Sequence, residues 1–419
     1  MSITYRLGHW VTADIKTICR HVKSMRTADE VTRPSLLALK DLIETDPEVN
    51  MLFSAMFTYE FEDPDIPENP ITDYMDMLLK FQEVISKPPG YTDPLGSAPI
   101  NHILIYVMAT PAGTMAFIND KVNKCFKDIL NDWAQLLNHE DSKEALNSKD
   151  GWLCPESLAT MPDFLETYQV DLTDPLYYGF KCWNDYFARK LRTDKDVRPV
   201  ANKDDPLTIC SPCEAFPYFI ERNPQLRDEF WIKAQPYSLQ HLLDDDALTE
   251  KYVGGTVYQA FLDTANYHRW HAPVDGKITK AYIKEGAYYA EALSMGYDPT
   301  ANTHSQRYLC HVDTRAIIHI DTGNPALGTV IFIAVGMAEI SSCPIEAYYG
   351  QEIKKGDPLG TFLFGGSTYV LLFEKHVHVK FAAEDIPVDK WPDTLQLVNS
   401  EVGKVIGRRH PHHHHHHHR

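Results

Sequence analysis

Along the first half of the 419-residue chain, apolar residues recur at helical spacing. Residues 35–43 carry Leu36, Leu37, Leu39, Leu42 and Ile43 on one stripe, which Asp46-Pro47 then ends. Residues 74–85 repeat the stripe. The longest run covers 115–137, with Phe117, Ile118, Val122, Phe126, Ile129, Leu130, Trp133 and Leu136 in phase. Stripes of this kind bury against a core, and no chemistry is assigned to them. Between 190 and 206 the chain turns polar, as it does at a domain boundary. Beyond it, β-branched and aromatic runs at 276–282, 329–335, 368–373 and 377–381 alternate with Gly, Pro and Asp turns. The pattern predicts an α+β fold, with a helical domain over 1–195 and a β-rich domain over 205–409. Residues 410–419, rich in histidine, read as a purification tag.

A formal charge of −18 argues against a nucleic-acid partner, which would want a basic face. No run of about 18 apolar residues exists, so no membrane-spanning helix or integral anchor is expected. The first residues lack the apolar core of a secretory signal. Eight scattered cysteines fit reduced thiols and a cytoplasmic location. The lone Cys210-Ser-Pro-Cys213 reads as two buried structural thiols, and no metal site is expected.

The most informative chemistry lies at Gly365-Gly366-Ser367, which follows an Asp-Pro-Leu-Gly turn and opens into an apolar run. Two glycines leave the backbone exposed to close approach, so the Ser367 hydroxyl can reach the Gly366 carbonyl carbon. On its own the triplet reads first as a glycine-rich turn or bulge before a strand. It is not a nucleophile elbow, because Tyr369 stands where the last glycine is needed. The partners that would make the serine reactive are His268 and His271, in Tyr267-His-Arg-Trp-His-Ala-Pro273, and an acid such as Glu214. In a strand the two histidines face opposite ways; in a turn they converge.

Two segments, one starting at His271 and one at Gly350, resemble the paired half-motifs of barrel-sandwich folds. A non-catalytic carrier or binding module is therefore a competing class. The absence of any Met-Lys dipeptide, where a carrier would bear its modified lysine, counts against it.

Together, Gly356-Asp-Pro-Leu-Gly-Thr-Phe-Leu-Phe-Gly-Gly-Ser-Thr and the Tyr-His-Arg-Trp-His-Ala-Pro string resemble the phosphatidylserine decarboxylase family. Lys233-Ala-Gln-Pro-Tyr-Ser-Leu-Gln-His-Leu-Leu243 is similar to a further signature of that family. The doubled glycine, Gly336-Met-Ala-Glu-Ile-Ser-Ser-Cys343 and Tyr177-Tyr-Gly-Phe-Lys-Cys-Trp-Asn-Asp-Tyr-Phe187 resemble its fungal, psilocybin-pathway subgroup acting on tryptophan.

The resemblance implies self-cleavage between Gly366 and Ser367, with Ser367 converted to a covalent pyruvoyl group and no pyridoxal phosphate required. It implies that the two chains stay associated and that the catalytic domain is barrel-sandwich-like. His271 matches the self-processing histidine and His268 the histidine of the decarboxylation step. Glu214 falls where the lipid enzymes carry an aspartate, and Asn266 likewise replaces an aspartate. With no membrane anchor in the chain, a free aromatic amino acid is the expected substrate, L-tryptophan first. Decarboxylation of the lipid is the alternative.

Overall fold

The computed structural model describes residues 14–96, 98–226, 237–244, 247–291, 297, 305–339 and 342–408. The tag, the first four residues of the Lys233 signature and two residues of the Gly336–Cys343 segment fall outside them.

Helices fill the first part of the described chain. Asp46 shows how the sequence cuts them. Its side chain accepts the N–H groups of Glu48 and Val49, so the residue that ends helix Pro34–Thr45 also caps helix Pro47–Thr58. Proline sits at the first turn of both, where its missing N–H costs nothing. Helix Tyr74–Ile85 matches its stripe. The 115–137 stripe is two helices, Pro111–Ala116 and Asp120–Leu137, rather than one. Asn119 divides them, its side-chain oxygen accepting from Lys121 N at 3.0 Å and Val122 N at 3.1 Å. The apolar phase survives the break, which is why periodicity alone missed it. Short helices continue to Trp183–Phe187, and residues 190–206 form neither helix nor extended strand.

The strands are β1 (Thr208–Cys210), β2 (Phe216–Glu221), β3 (Thr256–Leu262), β4 (Arg269–His271), β5 (Gly276–Lys284) and β6 (Arg315–Asp321). They continue as β7 (Thr329–Met337), β8 (Glu352–Ile353), β9 (Pro358–Thr361), β10 (Gly366–Phe373), β11 (Val377–Phe381) and β12 (Glu401–Arg408). The main sheet is antiparallel, in the order β2-β3-β10-β7-β6-β5-β8. A second sheet runs β1-β12-β11, and β4 pairs with β9 as a two-stranded ribbon. The fold is α+β, with a helical N-terminal region and no closed barrel among the described residues. The two half-motif segments lie side by side, joined through β4–β9 and β5–β8.

Strand β10 is buried along its whole length because both sheet faces are covered. Tyr369, Leu371 and Phe373 enter the core that includes Trp270, Leu359 and Phe362, while Val370 and Leu372 enter another with Ile331, Ile333 and Val335. This two-sided burial produces the unbroken apolar run in the sequence. Strand alternation puts Ser367 on the Tyr369 face, against which Trp270 of the ribbon packs through Phe332 at 5.6 Å.

The helical core reaches across the chain. It extends from Ile18 through Phe187 and takes in Ala265, Tyr267, Ala338 and Phe364 from the strand-rich part. Phe364, two residues before Gly366, meets Trp133 at 5.2 Å, Trp183 at 5.4 Å and Phe187 at 5.7 Å, all edge-on. Each such pair contributes about 0.5–1.5 kcal/mol beyond its area.

Candidate active site

Ser367 is the second residue of β10, opposite Leu262 of β3 and Gly336 of β7. The preceding Gly365 takes φ 130°, a conformation open to glycine and closed to most side chains. The Ser367 side chain is fully buried, and its Oγ has no hydrogen-bond partner. Its neighbour Thr368 is different. There Oγ1 donates to Ala260 O at 2.8 Å and accepts from Gln259 Nε2 at 3.1 Å. An unpartnered buried hydroxyl costs about 1–3 kcal/mol, so its presence in the middle of a well-paired sheet marks a site.

His271 ends β4 and is half-buried. Its Nδ1 lies 2.8 Å from Gly356 O and its Nε2 2.7 Å from the Tyr267 hydroxyl. A carbonyl only accepts, so Nδ1 carries the proton and Nε2 offers the lone pair, to which Tyr267 donates. Burial lowers the His271 pKa below its ordinary value and favours the neutral base. Burial also raises the Tyr267 pKa well above its ordinary value, so the phenol keeps its proton.

His268 precedes β4 and looks elsewhere. Its ring stacks on Phe187 at 4.2 Å, with Phe362 edge-on at 6.3 Å. It is fully buried and neither ring nitrogen has a partner in hydrogen-bond geometry. Burial, with help from the Arg189 charge, holds its pKa well below the ordinary histidine value; the nearby Asn266 backbone opposes this weakly. Its own carbonyl accepts from Phe362 N at 3.0 Å and Thr361 Oγ1 at 3.2 Å, tying the histidine loop to the chain entering Ser367.

Glu214 is buried and pairs with Arg198. It makes no hydrogen bond to His271, whose two nitrogens are already engaged, but its charge acts on Tyr267. Asn266 is a turn residue, its Oδ1 accepting from Asp263 N at 2.7 Å. Cys210 and Cys213 are free, buried thiols whose pKa values burial raises.

Three contributors had no signal in residue spacing. Tyr267 stood inside a quoted string without a role. Gly356 acts through its carbonyl, which any residue possesses. Phe187 comes from a short helix far away in sequence.

A phosphatidylserine decarboxylase family model matches residues 183–389, and a second phosphatidylserine decarboxylase model matches 33–161. The decarboxylase iboD of Amanita muscaria is 37% identical over 311 residues, covering 70% of this chain and 88% of that protein. The chain belongs to the phosphatidylserine decarboxylase family. As a family member it is a carboxy-lyase. Within the family, the L-tryptophan decarboxylase of Psilocybe cubensis is 34% identical over 384 residues, 87% of this chain and 84% of its own length. The phosphatidylserine decarboxylase proenzyme of Clostridium novyi is 34% identical over 198 residues, 47% of this chain and 62% of its own.

Proposed function

We propose that the chain is a self-processing, pyruvoyl-dependent decarboxylase of a free aromatic L-amino acid, with L-tryptophan, giving tryptamine and carbon dioxide, first among candidates. The extent of the likeness carries this reading. The L-tryptophan decarboxylases of Psilocybe cubensis and Psilocybe cyanescens each align over 87% of the chain, helical region included. Phosphatidylserine decarboxylase proenzymes align over less, from 47% for that of Clostridium novyi to 64% for that of Ruminiclostridium cellulolyticum. On this reading residues 1–195 form a helical domain and 205–409 the decarboxylase domain.

The residues present fit a pyruvoyl precursor. Ser367 is buried without a partner, between glycines on one side and a fully paired strand on the other. In the proposed step His271 Nε2 exchanges the Tyr267 hydroxyl for that of Ser367 and takes its proton, and Oγ attacks the Gly366 carbonyl carbon, so an ester replaces the amide. Loss of the Ser367 α-proton expels the Gly366 carboxylate. Water then replaces the nitrogen, which leaves as ammonia. Glu214, the acid named from the sequence, is paired with Arg198 and does not touch His271.

The pyruvoyl carbonyl supplies an electron sink for the carbon–carbon bond that breaks. His268, buried against Phe187 and neutral in the free protein, is the group assigned to pass a proton to the carbon that loses carbon dioxide. The cut leaves residues 1–366 and a chain starting at 367. The second stays in place because β10 is bonded to β3 on one side and β7 on the other. Eight free cysteines support a reducing, cytoplasmic setting, and no helix among the described residues is long and apolar enough to cross a membrane.

Intact-mass analysis of the purified protein, with borohydride trapping across an amino-acid panel, tests the reading. Two chains, a blocked N-terminus at 367 and a trapped tryptophan adduct are expected. Ser367→Ala is expected to be one uncut, inactive chain, and His268→Ala a cut chain without decarboxylase activity. A cut, active Ser367→Ala enzyme would defeat the scheme.

A further inference from the structure

Arg189 lies two residues beyond the ring that stacks on His268, and it is 1% exposed. A buried guanidinium ordinarily has a carboxylate opposite it, because an uncompensated charge in the interior is costly. Among the described residues no carboxylate pairs with this one. Nη2 donates to Ala265 O at 2.7 Å and reaches the Tyr168 hydroxyl at 3.5 Å, while Nε and Nη1 have no acceptor. The rings of Tyr168, Phe164 and Tyr186 surround the guanidinium carbon at 4.3, 5.2 and 5.6 Å. Aromatic faces accommodate its charge but offer no oxygen to its in-plane N–H bonds.

Its position is specific. Ala265, which Nη2 holds, lies in the turn between Leu262, opposite Ser367, and His268. The unpartnered polar atoms buried in this region include the Ser367 hydroxyl, both nitrogens of His268, and two N–H donors of Arg189. The first two have roles in the proposed chemistry. The third has none within the free protein, and an N–H donor on a buried cation matches a carboxylate oxygen.

We infer that Arg189 is the carboxylate-binding residue of this site, its positive charge and unpartnered N–H donors held in reserve for the α-carboxylate of the substrate. The inference rests on the decarboxylase reading but not on which side chain the substrate carries. The aromatic rings hold the guanidinium in place without satisfying it, so an arriving carboxylate meets preorganised donors. Because that carboxylate departs as neutral carbon dioxide, the ion pair favours binding over the bond-breaking step. Its loss should raise KM more than it lowers kcat.

The test compares processed wild-type enzyme with Arg189→Lys and Arg189→Met. Self-cleavage is scored first, on gels. KM and kcat follow, on whichever substrate the wild type decarboxylates, so failure of the tryptophan reading leaves this test intact. Indole-3-propionate (carboxylate, no amine) and tryptamine (amine, no carboxylate) serve as competing ligands if that substrate is tryptophan. The expected result is cleaved variants whose KM rises at least 30-fold for Met and less for Lys, with kcat within about threefold. Inhibition by indole-3-propionate should weaken in parallel while inhibition by tryptamine stays within about twofold. Unchanged KM overturns the inference, as does equal weakening of both inhibitors. Failure of both variants to fold or cleave also overturns it, because a side chain reserved for a ligand is dispensable to the free fold.

Discussion

His271 shows how much a single side chain's surroundings decide. The sequence placed it near the reactive serine and suggested an acid to orient it. The structure orients it with a backbone carbonyl instead, and with Tyr267 on the other nitrogen. No residue pattern encodes a carbonyl partner, so this part of the site was illegible beforehand. Ser367 was legible, because it follows a glycine pair whose first member takes φ 130°. The pH dependence of self-cleavage follows from the imidazole. The base must be neutral, and burial lowers its pKa, so cleavage holds its rate below the pH at which an ordinary histidine would protonate. Unprocessed chain refolded across pH 5–8 should show an acid limb with its midpoint below about 6.5. A midpoint at or above that value would mean that His271 is not the titrating base.

Short connections matter as much as strands. Lys354 and Asp357 close a turn in which Asp357 N donates to Lys354 O at 2.9 Å, and Gly356, its third residue, takes φ 88°. The turn carries the carbonyl that holds His271. Gly350 offers a control at φ 85° with nothing within 4 Å of an added Cβ, whereas at Gly356 that atom would meet Val200 Cγ2 at 2.7 Å. Both Gly→Ala changes should lose about 1–2 kcal/mol in denaturant titrations from the strained φ alone. Only Gly356→Ala should also slow self-cleavage, by about tenfold or more, since only there does the carbonyl position a reacting group. Equal cleavage rates would remove the turn from the mechanism. Strands β5, β7, β10 and β11 were legible as β-branched and aromatic runs, whereas the other eight among the described residues were not named from the sequence. The break at Asn119 was not, since apolar phase continues through it.

Across the whole molecule, the helical half had been given no chemistry. Its stripes are core except at Leu37 and Ile118, which are exposed, and part of that core is the wall of the site: Trp133, Trp183 and Phe187 close on Phe364, and Phe187 on His268. Amphipathic periodicity says that a face is buried and never says against what, so this contact could not be read from spacing. The division into a helical and a strand-rich part was visible. Their shared interior was not.

The central place of β10 has one more consequence. If the chain cleaves itself as proposed, folding before the cut is a first-order event, because one chain supplies every strand. After it, β10 to β12 belong to a separate molecule that must find the gap between β3 and β7. Refolding of denatured, cleaved protein should then be second order, with a midpoint that rises with protein concentration, while uncut Ser367→Ala refolds at a rate independent of dilution. A concentration-independent midpoint for the cleaved protein would show that the pieces need not part to unfold. Self-processing thus trades a reversible fold for one that the chain can reach easily only once.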